Sequence, residues 1–207
     1  MIKLHHLNQS RSKRIIWLLE ELGLAYEIVP YQRHPQTRFA PPELHAIHPL
    51  GKSPVIEDEG LVVAESGAIV EYLIGRYGAD RLAPPADSPL YPRYLQWLHF
   101  AEGSAALPML LDYFLTIDGT ETRFLGRYAK RELAKILSYL NDEVSEKPYL
   151  VGEQFSGADI INSFVLETVH DAGGLANYSA LQAYWDRITA RPTWAKAAEL
   201  EAQYDQS

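Results

Sequence analysis

The chain has 207 residues, of which 47% are hydrophobic and 22% charged, enough for one large domain or two small ones with a real core. Its 19 basic and 27 acidic residues leave a formal charge of −8 with no basic cluster, which argues against nucleic acid or an anionic membrane as a partner. Cysteine is absent, so disulfides, thiolate metal sites and any protein thiol nucleophile are excluded, and sulfur chemistry would have to use a ligand's sulfur.

No apolar run approaches the roughly 18 residues of a spanning helix. The start, Met1-Ile2-Lys3-Leu4-His5-His6, reads directly as a strand, without a signal-peptide pattern. Ile2 to Leu7 is that first strand, and Asn8-Gln9-Ser10-Arg11-Ser12 is a polar loop. Ile15, Leu18, Leu19 and Leu22 recur at helical spacing, so a helix is predicted from Lys13 to Leu22, with Ser12 as its N-cap and Gly23 as its stop. Tyr26 to Tyr31 reads as a second strand, and the strand–helix–strand run suggests a parallel βαβ unit. Pro41-Pro42-Glu43-Leu44 can open a short helix. A hairpin is expected from Val55–Glu57 and Leu61–Ala64 around Asp58-Glu59-Gly60, then a helix from Glu65 to Tyr77.

Leu82-Ala83-Pro84-Pro85-Ala86-Asp87-Ser88-Pro89 is a linker by composition, and no strand pattern returns after it. A long helical stretch from Tyr91 to Leu115 is expected to bend or break near Pro108. A second stretch is predicted over Thr122–Glu146. Ser156-Gly157-Ala158-Asp159 reads as a capping box opening a buried helix through His170. Ser179–Ala190 and Pro192–Ala202 close the chain. The domains are therefore expected at residues 1–80 and 91–207, joined by a linker over 81–90.

The stretch that organises the rest is His48-Pro49-Leu50-Gly51-Lys52-Ser53-Pro54-Val55-Ile56, followed by Ala64-Glu65-Ser66-Gly67-Ala68-Ile69. A proline delivered to a strand's first position makes sense if its preceding bond is cis, or if the backbone there must pair with something other than the ladder. The second piece is a helix start, where unpaired backbone N–H groups bind carboxylates. With a lysine beside them, these parts would hold a small extended peptide with a free carboxylate.

That arrangement resembles the glutathione site of the cytosolic glutathione S-transferases. The order and spacing of Leu4–Arg11, Trp17–Leu22, Ala40–Leu44 and Ile47–Pro54 are similar to the yeast-like and bacterial branch of that family. The resemblance implies an α/β plus all-α architecture, in which an N-terminal thioredoxin-like domain precedes a C-terminal helical-bundle domain. It implies glutathione as co-substrate, attack of its thiolate on a small apolar electrophile or a peroxide, a homodimer and a cytoplasmic location. Neither a metal, a nucleic acid nor a membrane is expected as a partner. A non-catalytic glutathione transferase-like interaction module and a glutathione-dependent disulfide reductase are the rival readings.

A thiol of pKa about 8.5 needs about 1.4 kcal/mol of anion preference per unit of lowering. A hydroxyl or amide aimed at the sulfur can supply part of that. The first-loop candidates are Ser10, Asn8 and Arg11; in the branch resembled, a serine followed by arginine recurs here, which favours Ser10. No tyrosine stands at the end of the first strand, where some classes place a catalytic one, and His6 reads as a packed strand residue. By resemblance, Lys52 would meet the glycyl carboxylate, with His48 as a further contact. Glu65 would take the γ-glutamyl ammonium and Ser66 its carboxylate. Val55, just after Pro54, is preferred over Ser53 as the backbone partner of the cysteinyl part. Leu107, Met109, Leu110, Tyr113 and Phe114, near Pro108, form a candidate second-substrate pocket.

Overall fold

A computed structural model of the chain describes residues 1–205. In chain order its elements are β1 (Ile2–Leu7), α1 (Lys13–Leu22), β2 (Tyr26–Tyr31), α2 (Leu44–Ile47), β3 (Val55–Asp58), β4 (Leu61–Ala64), α3 (Ser66–Tyr77), α4 (Tyr91–Phe100), a π-helical turn over Ala101–Ala105, α5 (Ala106–Asp118), α6 (Leu125–Glu143), α7 (Gly157–Asp171), α8 (Ser179–Thr189) and α9 (Pro192–Tyr204). They form two compact units, one of Met1–Ala79 together with the segment from Thr189, the other of Asp80–Ile188.

The first unit is built on a four-stranded sheet in the order β2-β1-β3-β4. β1 runs parallel to β2 and antiparallel to β3, and β3 turns back into β4 through Glu59-Gly60, both at positive φ as a tight hairpin requires. Five of the six β1 residues are buried, as expected of a central strand covered on both faces. Its His5 is satisfied across both flanks: Nδ1 lies 2.9 Å from the Tyr31 hydroxyl and Nε2 2.8 Å from Glu57 Oε1. α1 buries Ile15, Ile16, Leu18 and Leu19 and ends where Gly23, at φ 68°, closes a Schellman turn, with Leu24 N–H on Leu19 O at 3.1 Å. This is the thioredoxin-like arrangement that the family resemblance implies.

The expected all-helical domain loses its last helix to this unit. Trp17 meets Trp194 edge to face at 4.9 Å, and Trp17 Nε1–H donates to Thr193 at 3.1 Å. Arg191 forks onto Glu21 at 2.6 and 2.7 Å. A planar guanidinium matching a carboxylate, beside stacked indoles, holds α9 on α1. The pattern of α9 shows only an amphipathic helix, not which face it covers.

In the second unit the segment read as a linker is fixed, since Leu82 O accepts from Gly157 N–H at 2.7 Å. The break in the long helix falls ahead of Pro108, as the π-helical turn. Proline lacks the N–H that would bond back to Ser104, and its ring crowds that carbonyl. The wider turn absorbs this, with Ala106 N–H reaching Ala101 O. α7 is the buried axis, carrying Ile160, Ile161, Val165 and Leu166 inside, and the predicted capping box is present at its start. Asp159 does more than cap: besides Ser156 N–H at 2.8 Å, its carboxylate accepts from Leu150 N–H at 2.9 Å and the Tyr184 hydroxyl at 2.7 Å, fully buried.

Truncating Asp159 strands two backbone donors and a phenol. Asp159→Ala is expected to lower unfolding stability by about 3 kcal/mol or more, read from urea denaturation at pH 7. A loss below about 1 kcal/mol would show that the network contributes nothing beyond an ordinary cap.

Candidate functional site

The site is built where the β1–β3 ladder stops. Lys3 pairs with Glu57, Leu4 with Ile56 and His5 with Val55. The next β3-side residue would be Pro54, which has no N–H to give, and the Ser53–Pro54 bond is cis as anticipated. Ser53 then closes the ladder with its side chain: its hydroxyl donates to His5 O at 2.8 Å and accepts from Leu7 N–H at 3.1 Å. The Ser53 backbone lies outside both strands, whereas Val55 stands opposite His5 on one side and Ala64 on the other. β3 therefore has no open edge at Val55. The preference for Val55 over Ser53 is corrected: the residue before the proline, not the one after it, has backbone outside the ladder.

The approach to this point is a tight turn that requires glycine. Gly51 sits at φ 57°, its N–H on His48 O at 2.8 Å, and a Cβ there would meet the His45 ring at 2.6 Å. His48 is half-buried and ends α2, with its Nδ1 turned onto Leu50 N–H at 3.4 Å. Lys52 is exposed and makes no ion pair among the described residues.

Across the sheet, α3 begins with Glu65 at φ 69° and ψ 118°, a backbone conformation that costs on the order of 1–3 kcal/mol for a side-chain-bearing residue. Ser66 is buried, and no side chain caps this helix start. The capping alternative for Ser66 is thereby set aside. The first-turn N–H groups of α3 keep their partial positive charge for a ligand.

In the first loop the candidates separate. Ser10 is 8% exposed, and its Oγ accepts from Ser12 N–H at 3.2 Å. Asn8 is buried: its amide donates to Asp205 at 2.9 Å and its carbonyl accepts from Arg33 N–H at 2.8 Å, tying the loop to the segment after α9 and to the strand β2 exit. Arg11 is half-buried. Ser12 stands at the N-cap position of α1, but its side chain makes no cap bond. Its Oγ lies 2.7 Å from His6 Nδ1, 2.8 Å from Ser10 Oγ and 3.2 Å from Leu7 O. His6 is packed in the strand as expected, with its second ring nitrogen, Nε2, buried and lacking a partner among the described residues. Burial pulls its pKa down to about 4 against the opposing pull of Asp205, so the ring is neutral at pH 7. No sequence signal announced the Ser12–His6 contact, because it joins a strand end to a helix start through the fold.

The residues read as candidates for a second-substrate pocket lie in the other unit, on α5. Leu107, Tyr113 and Phe114 are 55%, 46% and 57% exposed, and Leu110 is half-buried beside them. Met109 is buried in the unit's core and does not belong to this surface. A cavity of about 440 Å³ between α5 and α6 is lined instead by polar residues such as Asp112, Thr116, Thr122 and Lys130. Among the described residues, no group of His, Cys, Asp and Glu side chains is placed to hold a metal, and no helix is long and apolar enough to cross a membrane.

Comparison with known proteins agrees with this geometry. Residues 1–75 match the family described as glutathione S-transferase, N-terminal domain, and residues 108–192 match its C-terminal domain. Glutathione S-transferase 3 of Schizosaccharomyces pombe is 33% identical over 96% of this chain and 87% of its own. Glutathione S-transferase 1 of Saccharomyces cerevisiae is 32% identical over 96% and 94%. A glutathione S-transferase crystal structure from Actinobacillus pleuropneumoniae superposes with a TM-score of 0.88 at 36% identity, covering 98% of this chain and 93% of that one. The sphingomonad enzyme solved with glutathione gives 0.81 at 25% identity, over 97% and 98%.

His6 has a measurable signature. The unfolded chain takes up a proton near the ordinary histidine value of about 6.5, while the folded chain resists it down to about 4. Stability from this group is therefore complete above pH 6.5 and lost as pH falls through that window. Between pH 7 and pH 5 the wild type is expected to lose about 2 kcal/mol in urea unfolding, and a His6→Leu variant to lose correspondingly less. Equal slopes in the two proteins would contradict the assignment.

Proposed function

The chain belongs to the glutathione S-transferase family and is a glutathione transferase; we propose that Ser10 donates its hydroxyl hydrogen to the glutathione thiolate, and that the remaining first-unit candidates hold the tripeptide around it. The observation that carries this reading is the interrupted ladder. Glutathione, an extended peptide, takes the place that Pro54 leaves unpaired, and the Ser53 backbone pairs with its cysteinyl part as an added strand would. The cysteinyl sulfur then faces the loop that follows β1, where Ser10 stands.

Lys52, with His48 beside it, receives the glycyl carboxylate. The γ-glutamyl carboxylate goes to Ser66 and the uncapped start of α3, and its ammonium to Glu65. Opposite charges at the two ends orient the tripeptide in one direction only. Asn8 holds the loop in place, and Arg11 adds positive charge nearby. The thiolate attacks an electrophilic carbon or a peroxide oxygen of a small apolar substrate. On the second unit Leu107, Tyr113 and Phe114, which are exposed, and the half-buried Leu110 are the apolar residues assigned to binding such a substrate. Apolar surface on the second unit exceeds what one small substrate would cover, since Ile117, Phe124 and Tyr128 are also exposed, which supports a homodimer. We place the activity in the cytoplasm on the family resemblance.

The thiolate of bound glutathione, followed by its ultraviolet absorbance against pH, tests the Ser10 role. Ser10→Ala should bind glutathione within about threefold of wild type while its thiol pKa rises by about 1–2 units, a neutral donor to an anion being worth about 1.5–3 kcal/mol. An unchanged thiol pKa would reduce Ser10 to a turn residue. Lys52→Ala and Ser66→Ala should each weaken glutathione binding about tenfold or more, the loss of one charge-assisted contact, without moving that pKa.

A further inference from the structure

A serine hydroxyl has one hydrogen, and it helps an anion only if that hydrogen points at the anion. At Ser10 the direction is decided by its neighbours. We propose that His6 and Ser12 are positioning residues, and that a chain of hydrogen bonds from His6 Nδ1–H to Ser12 Oγ and from Ser12 Oγ–H to Ser10 Oγ turns the Ser10 hydrogen outward to the thiolate. The proposal rests on the reading of Ser10 given above.

The directions follow from counting hydrogens. The neutral ring of His6 carries one. Placed on Nε2, it would be a buried donor with no acceptor among the described residues; placed on Nδ1, it meets Ser12 Oγ at 2.7 Å. Orphaned buried N–H groups are rarer in folded proteins than under-satisfied acceptors, so the hydrogen belongs on Nδ1. Ser12 Oγ then accepts from His6 and has its own hydrogen to place. Ser10 Oγ is 2.8 Å away, the usual O–H···O distance, while Leu7 O is at 3.2 Å, beyond it.

Ser10 Oγ now accepts twice, from the Ser12 hydroxyl and from Ser12 N–H at 3.2 Å. Its own hydrogen has no place left inside the network. Ser10 is also the least buried of the three, at 8% against 0% for both Ser12 and His6, so the chain runs from the sealed interior outward. Each bond in such a chain polarises the next, which makes the terminal hydroxyl a better donor to an anion. In the opposite arrangement Ser10 would donate inward to Ser12 and Ser12 to Leu7 O, and the Ser10 hydrogen would be unavailable until it rotated.

Two measurements decide it. In the unaltered protein, long-range nitrogen–proton NMR correlations of the His6 ring are expected to show the hydrogen on Nδ1; a hydrogen on Nε2 overturns the proposal. With glutathione bound, His6→Leu and Ser12→Ala should each raise the thiol pKa by about 0.5–1 unit at near-unchanged affinity. His6→Asn, whose amide nitrogen can stand where Nδ1 stood, should restore most of the shift. In a Ser10→Ala background, His6→Leu should add no further change. If Ser10→Ala raises the thiol pKa while His6→Leu and Ser12→Ala leave it unmoved, or if His6→Leu acts equally with and without Ser10, the relay is wrong and the Ser10 role stands. If Ser10→Ala itself leaves the thiol pKa unmoved, the Ser10 reading fails and the relay falls with it.

Discussion

The site depends on a ladder that stops one residue early. β1 and β3 pair as far as His5 and Val55, and there the missing N–H of Pro54 ends the exchange. A strand terminus inside a sheet would ordinarily leave β1 backbone groups unpaired. The Ser53 hydroxyl takes both, the carbonyl of His5 and the N–H of Leu7, so the interruption is stable without being filled by backbone. The Ser53 backbone is left outside the sheet, beside the loop that carries Ser10. The same few residues thus secure the strand end and leave room for a peptide.

Around that gap the protein uses structure already required by folding. The uncapped start of α3 supplies positive partial charge because helices leave their first N–H groups unpaired. Glu65, held at positive φ, and Gly51, which no side-chain-bearing residue could replace without crowding His45, set the directions in which the chain enters from each side. α9, returned to the first unit by Trp194 and Arg191, brings Asp205 to Asn8 and so fixes the loop after β1 from behind.

Most of the elements were legible in the sequence. The pattern placed β1, α1 and β2 at the residues where they are found, and turn chemistry placed the hairpin around Asp58-Glu59-Gly60, of which Asp58 belongs to β3. Ser156 and Asp159 announced the capping box. What stayed hidden was whatever depends on long-range partners. α9 is amphipathic in sequence, but only the fold shows that it covers α1. The helix break was read at Pro108 because proline is the visible cause, while the structure relieves it one turn earlier. Leu107, Tyr113 and Phe114 are exposed and Met109 buried, a distinction that a cluster of apolar residues cannot display. Within the site, Ser10 is nearly buried in the first loop, Lys52 is exposed and Ser66 is buried at the start of α3. Val55 yielded to Ser53 because ladder pairing on two flanks is a property of the sheet. Ser12 resembled a cap because serine before a helix usually is one, and its actual partner, His6, lies across the turn in the neighbouring strand.

The central claim is that this fold ionises the glutathione thiol, and proton release on binding measures it directly. Calorimetric titration of glutathione into the wild-type protein at pH 7, in buffers of different ionisation enthalpy, reports the number of protons released per tripeptide bound. A thiol brought from a pKa of about 8.5 to near neutrality should release about half a proton or more. Binding with release below about a tenth of a proton would mean that the protein holds glutathione as a thiol, and would contradict the account.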